Sequence, residues 1–167
     1  MTDLVGGPLI AVIGQWILDN LDDVAGEVGR RIAEDNHGVT NVRMWFNKTN
    51  QTLDVWKYDG STSRQNHYVI PPGQTLAQDM WIPWCDNDHQ YPHKHAIIAL
   101  DGQPLAYVWQ SGTRIRLNAQ DHFIPNGPEV PSITRDDGTP AAKAGGDRGI
   151  LVAKDDQGRP GVVIVGR

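Results

Sequence analysis

The residues best suited to chemistry or binding are concentrated between Trp81 and His95. This stretch holds three of the six histidines, the single cysteine and two of the six tryptophans, with Pro83 and Pro92 among them. It is too polar for a core strand and too aromatic for an ordinary connecting loop. We therefore interpret residues 81–95 as the segment that carries the functional site.

Two tryptophans in this segment, Trp81 and Trp84, are flanked by prolines and polar residues, which predicts exposed indole rings. An exposed indole face can stack on a sugar ring or lie at a lipid interface. Hydrogen-bonding groups for such a ligand come from the neighbouring residues Asp86, Asn87, Asp88, His89 and Tyr91. This pattern favours a non-enzymatic binding module for a carbohydrate or a membrane surface. A purely structural role, in which the two rings close one end of the fold, is the alternative.

The histidines of the same segment suggest a second function. On an extended strand, His93 and His95 leave the same face and could chelate a divalent transition metal, with His89, Asp88 or Cys85 completing the shell. The spacing resembles the His-x-His start of the cupin metal motif, although Ala99 and Leu100 stand where that motif has a glutamate. The resemblance covers those two histidines alone and implies a metal-dependent enzyme or sensor. Local hydrogen bonding of the histidines at the start of a strand is the competing interpretation.

No catalytic motif supports an enzyme more directly. The sequence has no Gly-x-Ser-x-Gly nucleophile motif, no phosphate-binding loop and no dinucleotide fingerprint. Cys85 would need a nearby base to act as a nucleophile. The sequence therefore leans away from an enzyme.

Hydrophobic periodicity predicts the secondary-structure elements that position residues 81–95. From Asn41 onward the period is two and turn signals recur, which predicts a mainly antiparallel β-sandwich, or a small barrel, of about eight strands over residues 39–167. Predicted hairpins join 42–46 to 53–58, 96–100 to 104–109 through Asp101-Gly102, and 150–152 to 162–165. A long loop spans about 118–149. Trp45, Trp56 and Trp109 fall inside alternating strands and are predicted core residues.

Residues 1–38 differ, because their apolar side chains recur at intervals of three and four and predict an amphipathic α-helix that belongs to the same domain. The apolar stripe consists of Leu9, Ile13, Trp16, Ile17, Leu21, Val24, Val28 and Ile32. It could pack on the sheet, on the same helix of a second protomer, or in a membrane. The coarse layout is similar to that of pore-forming β-sandwich proteins, and self-association through the helix is a further expectation.

Composition limits the classes of partner. The chain has 167 residues and a net charge of -5, so it lacks the basic footprint of a nucleic-acid-binding protein. One cysteine excludes an internal disulfide. No apolar stretch reaches the roughly 20 residues that span a bilayer, and no signal peptide is evident. These features fit a cytoplasmic protein or one exported by a non-classical route, and leave the compartment open.

Overall fold

A computed structural model describes residues 38–132 and 138–166 of the chain, and this part is mainly β. Its nine strands are Thr40–Lys48 (β1), Leu53–Asp59 (β2), Gln65–Ile70 (β3), Thr75–Trp81 (β4), Lys94–Leu100 (β5), Gln103–Ser111 (β6), Arg114–Asn118 (β7), Gly146–Lys154 (β8) and Pro160–Val165 (β9). A short 3₁₀ helix, Tyr91–His93, precedes β5. The amphipathic helix predicted over residues 1–38 falls almost entirely on residues 1–37, which lie outside the described residues. The predicted self-association through this helix lies outside them as well.

The strands form two sheets in a sandwich-like arrangement. The four-stranded sheet has the order β4-β1-β8-β9 and the five-stranded sheet has the order β3-β2-β5-β6-β7. All neighbouring strands are antiparallel except β1 and β8, which run parallel. Alternate side chains from both sheets, such as those of Trp45, Ile98 and Ile150, meet in one buried apolar cluster. The prediction of a mainly β fold built from short strands is confirmed.

Two of the predicted hairpins are present. β5 and β6 are joined by Asp101-Gly102, and both residues have positive φ, 48° and 79°. This is the geometry of a type I′ turn, whose twist matches that of the flanking strands. β8 and β9 pair around the predicted turn at residues 155–158.

The predicted hairpin between 42–46 and 53–58 is wrong, because β1 and β2 lie in different sheets. The loop between them crosses from one sheet to the other. The reason is Asn47, whose fully buried amide group donates to the carbonyls of Gln51, Ile70 and Pro71 at 2.8, 2.9 and 3.1 Å. One side chain thus ties the crossing loop to the corner at Pro71, where the chain crosses back from β3 to β4.

The long loop predicted to end near Gly149 ends earlier, because β8 begins at Gly146. Residues 146–149 pair in parallel with the first half of β1, a contact between segments about a hundred residues apart that no local pattern reveals. Buried Arg148 of β8 donates to the carbonyls of Ala141, Asp147 and Lys143. These hydrogen bonds fasten residues 141–143 to the start of β8.

Candidate functional site

The exposed tryptophans lie at one end of the sandwich. Trp81 is the last residue of β4 and is 40% exposed, and Trp84 follows three residues later with 37% exposure. Over three residues of chain their Cα atoms are at most about 10 Å apart. Val39, at 37% exposure, precedes β1, whose Asn41 pairs with Trp81. Three of the four exposed large hydrophobic residues in the described part of the chain are therefore close to the same end.

The backbone around Trp84 is anchored by Gln110 of β6. The backbone of Gln110 donates to the carbonyl of Pro83 at 2.8 Å and accepts from the amide of Cys85 at 2.9 Å. Its fully buried side chain accepts from the amide of Thr40 at 3.1 Å and donates to the carbonyl of Gly38 at 2.6 Å. Gln110 thus joins the Trp84 segment to the start of β1, and an exposed ring is carried on a fixed backbone.

The ring of Trp84 is itself oriented. Its indole N–H donates to Asp86 Oδ1 at 2.8 Å. Asp86 is placed in turn by its backbone amide, which donates to Gln90 Oε1 at 2.7 Å, while Asn87 Oδ1 accepts from the Gln90 amide at 3.0 Å. Both hydrogen bonds close a compact turn over residues 86–90. The polar edge of the indole is therefore occupied, whereas its exposed surface is apolar.

Trp81 is anchored by a buried lysine. Lys57 Nζ donates to the Trp81 carbonyl at 3.0 Å and contacts Asp59 Oδ2 at 3.4 Å. By contrast, the tryptophans assigned to the core are buried, with Trp45 and Trp109 at 0% and Trp56 at 5% exposure. The division of the tryptophans into core rings and exposed rings agrees with the sequence-based expectation.

The histidine pair does not have the predicted geometry. His93 ends the 3₁₀ helix and is exposed, whereas His95 is the second residue of β5 and is buried. The expectation that His93 and His95 lie on one face of a strand is wrong. The 3₁₀ helix, with Pro92 near its start, includes His93, and β5 begins only at Lys94. His89 and Asp88 are exposed and lie in the preceding turn.

His95 instead belongs to a cluster of tyrosines. Its ring stacks on that of Tyr91 with centroids 4.2 Å apart, and Tyr58 and Tyr107 lie at 5.2 and 6.1 Å. Its Nδ1 lies 2.6 Å from the Tyr91 carbonyl, so Nδ1 carries the proton and donates. The Nε2 atom faces Asp121 Oδ1 at 3.8 Å.

Burial lowers the pKa of His95 more than the Tyr91 carbonyl and Asp121 raise it. Burial also raises the pKa of Tyr91, and Asp121 adds to this rise. The Tyr91 hydroxyl is buried without a hydrogen bond, although the carboxylate of Asp121 is near enough to affect its ionisation. Around neutral pH this cluster therefore presents a neutral imidazole and a neutral phenol beneath an exposed carboxylate.

Cys85 is buried, and its thiol points at the carbonyl of Asn87 at 3.5 Å. Burial raises the pKa of this thiol, which opposes the thiolate that a nucleophile or metal ligand needs. Among the described residues, no group of three or more His, Cys, Asp or Glu side chains is arranged to hold a metal ion. The metal site at His93, His95 and His89 therefore stays a prediction without support from the geometry.

Sequence reasoning missed three residues of the tyrosine cluster, Tyr58, Tyr107 and Asp121. The alternation of side chains along the strands could have indicated two of them. Trp56 and Tyr58 share one face of β2, and Tyr107 and Trp109 share one face of β6. A one-residue shift in register between Ile98 and Ala99, beyond the type I′ turn, pairs Ile97 with Tyr107. Asp121 lies in an irregular loop, for which the sequence offers no comparable signal.

The chain is thus a mainly β protein of two facing sheets with an anchored aromatic surface at one end. No protein-family model, curated protein or solved structure matches it. Of the residues described, none forms a helix long and apolar enough to cross a membrane.

Proposed function

We propose that the protein is a non-enzymatic carbohydrate-binding module whose ligand stacks on Trp84 and Trp81. The observation that carries the proposal is the combination of exposure and rigidity at Trp84. Trp84 is 37% exposed, its ring is held by the Asp86 carboxylate, and the backbone on either side of it makes two hydrogen bonds to Gln110. Because the ring is ordered before the ligand arrives, little conformational entropy is lost on binding.

The polar groups beside the ring favour a sugar. Asp86 uses one carboxylate oxygen for the indole, and the exposed Asp88 and His89 lie on the same turn. Carboxylate and imidazole groups can hydrogen bond to hydroxyls while the C–H face of a sugar stacks on the indole. The two aspartates, on a chain of net charge -5, would be repelled by an anionic lipid surface.

The test is a glycan array followed by titration calorimetry with any oligosaccharide that binds. Trp84→Ala is expected to weaken binding at least about tenfold, because a central aromatic side chain provides a large share of the binding free energy. Val69→Ala is the matched control, since Val69 is 52% exposed on β3, away from the tryptophans. Unchanged binding by Trp84→Ala would contradict the proposal.

A membrane surface is the other ligand class that an exposed tryptophan pair could serve. Co-sedimentation with phosphatidylcholine vesicles, with and without phosphatidylserine, distinguishes it from a sugar. The carbohydrate proposal expects no association with either vesicle. Association that Trp84→Ala abolishes, in a protein that binds no glycan, would replace the carbohydrate with a lipid surface.

A further inference from the structure

A polar groove lies at the open edge between the two sheets, where β3 and β4 run past one another. Its volume is about 640 Å³, and its polar lining comes from Arg43, Asn66, Tyr68, Gln78 and Asp79. Sites for small molecules commonly have a volume of roughly 300–1,000 Å³. The groove is partly open to solvent, so a ligand bound in it could continue beyond it.

Irregular backbone shapes both walls of the groove. The register of β1 shifts between Val42 and Met44 against both of its neighbours. Arg43 is the extra residue in the pairing with β8, and Gln78 and Asp79 together stand opposite it in β4. In the opposite wall, the pairing of β2 with β3 shifts next to Asn66, whose φ is 48°. Bulges redirect side chains, and asparagine is one of the few residues other than glycine that readily adopts positive φ. The Tyr68 hydroxyl donates to the Asp79 carbonyl at 2.7 Å and joins the two walls.

Arg43, the arginine that lines the groove, is paired with carboxylates. Arg43 Nε contacts Asp79 Oδ1 and its Nη1 contacts Asp147 Oδ2, both at 3.2 Å. Because the guanidinium is already paired with two carboxylates, the groove has no surplus positive charge for a phosphate or sulfate. The Gln78 carboxamide is exposed, and the Asn66 side chain uses its amide N–H on the Tyr68 hydroxyl at 3.1 Å. Paired charges, carboxamides and a tyrosine ring are groups that suit neutral, polyhydroxylated ligands.

The groove is continuous with the tryptophan end through β4. Ala77, Asp79 and Trp81 alternate along this strand and are all exposed, so their side chains share one face. Trp81 lies two residues, about 7 Å, beyond Asp79. We propose that the groove is a second subsite for a neutral glycan chain, which runs along β4 from the Trp81 and Trp84 rings to Asn66 and Gln78. This inference rests on the proposed carbohydrate-binding function.

The dependence of affinity on the length of the oligosaccharide tests this proposal. We would titrate the protein with neutral cello-, manno- and chito-oligosaccharides, from monosaccharides to hexasaccharides. The groove variant is Asn66→Gly/Gln78→Ala, since glycine keeps the positive φ of residue 66 and both side chains are surface groups. Gln103→Ala, an exposed glutamine at the start of β6, is the matched control. Thermal unfolding would show that each variant is folded.

The wild type is expected to bind longer chains at least about tenfold more tightly than short ones. The groove variant should lose that advantage yet bind monosaccharides normally, whereas Trp84→Ala should lose binding at every length. A groove variant that matches the wild type at every length, beside an inactive Trp84→Ala, would overturn the groove subsite and leave the proposed function intact. A wild type that binds no oligosaccharide would overturn the proposed function and the groove subsite together.

Discussion

At the scale of single residues, the same side chain has different properties depending on its surroundings. His93 and His95 are two positions apart, yet His93 is exposed while His95 is 4% exposed and stacked on Tyr91. Burial disfavours the imidazolium and outweighs the opposite effects of the Tyr91 carbonyl and of Asp121, whose Oδ1 lies 3.8 Å from Nε2, so the pKa of His95 is lowered. The contribution of His95 to stability must therefore depend on pH.

The sign of this dependence follows from the lowered pKa of His95. An unfolded histidine titrates near 6.5, so on acidification the unfolded chain takes up this proton before the folded protein does. The stabilising contribution is complete above pH 6.5 and is lost as the pH falls from there towards the folded-state pKa. The groups facing the imidazole are Asp121, Tyr91, Tyr58 and Tyr107.

Replacement of His95 by glutamine should remove this dependence. We expect the free energy of unfolding of the wild type to fall below pH 6.5 with a slope steeper than that of His95→Gln, by at most about 1.4 kcal/mol per pH unit, the limit for one proton. Urea unfolding at a series of pH values measures the slopes, and His93→Gln is the exposed control. Equal slopes in wild type and His95→Gln would contradict the buried, neutral imidazole.

At the scale of elements, residues 82–90 depend on β6 for their position. Gln110 supplies four hydrogen bonds, two through its backbone and two through its side chain. The side-chain bonds also hold Gly38 and Thr40, where β1 begins. The backbone on either side of Trp84 is therefore held by a glutamine on a different strand.

Removal of the Gln110 amide should damage both stability and the site. Gln110→Met keeps the approximate volume but leaves the buried Thr40 amide without its partner, and an unpaired buried group costs about 1–3 kcal/mol; it also removes the hydrogen bond to the carbonyl of the exposed Gly38. We expect the free energy of unfolding to fall by about 1–3 kcal/mol. Urea unfolding measures the loss, with Gln103→Met, an exposed position on the same strand, as the control. A loss below about 0.5 kcal/mol, typical of surface substitutions, would show that Gln110 does not anchor this end.

At the scale of the whole molecule, the proposed site and the core belong to one cooperative structure. Trp81 ends a strand whose Met80 is buried in the core, and the chain beyond Trp84 is joined to the five-stranded sheet. A ligand bound at this end should therefore stabilise the folded chain as a unit.

Thermal unfolding tests this coupling. A binding oligosaccharide at a concentration of about 100 times its Kd should add about 2.7 kcal/mol to the free energy of unfolding, and each kcal/mol raises Tm by roughly 2–4 °C at this chain length. The expected rise is thus about 5–11 °C. Trp84→Ala, with a Kd at least about tenfold higher, should show at most about half of this rise at the same concentration, and Val69→Ala should behave like the wild type. A comparable rise in Trp84→Ala would place the ligand elsewhere.

Local patterns in the sequence were sufficient for several features of this protein. Period-two alternation identified several of the strands, such as 42–46, 53–58 and 96–100. Asp101-Gly102 identified the β5–β6 hairpin, because a type I′ turn needs positive φ at both central positions. The prolines and polar neighbours of Trp81 and Trp84 distinguished these rings from the buried Trp45, Trp56 and Trp109. Each of these features depends on residues close together in the chain.

Contacts between distant segments decided the rest. Asn47 turned an expected hairpin into a crossing between sheets, and the parallel pairing of β1 with β8 extended β8 into the predicted loop. Tyr58, Tyr107 and Asp121 join His95 only through strand pairing and loop packing. Arg43 and Asn66 reach the same groove because β1 and β3 belong to different sheets that meet at one edge. The sequence encodes these contacts, but it does so through the free energy of the complete fold, which no short window of residues contains.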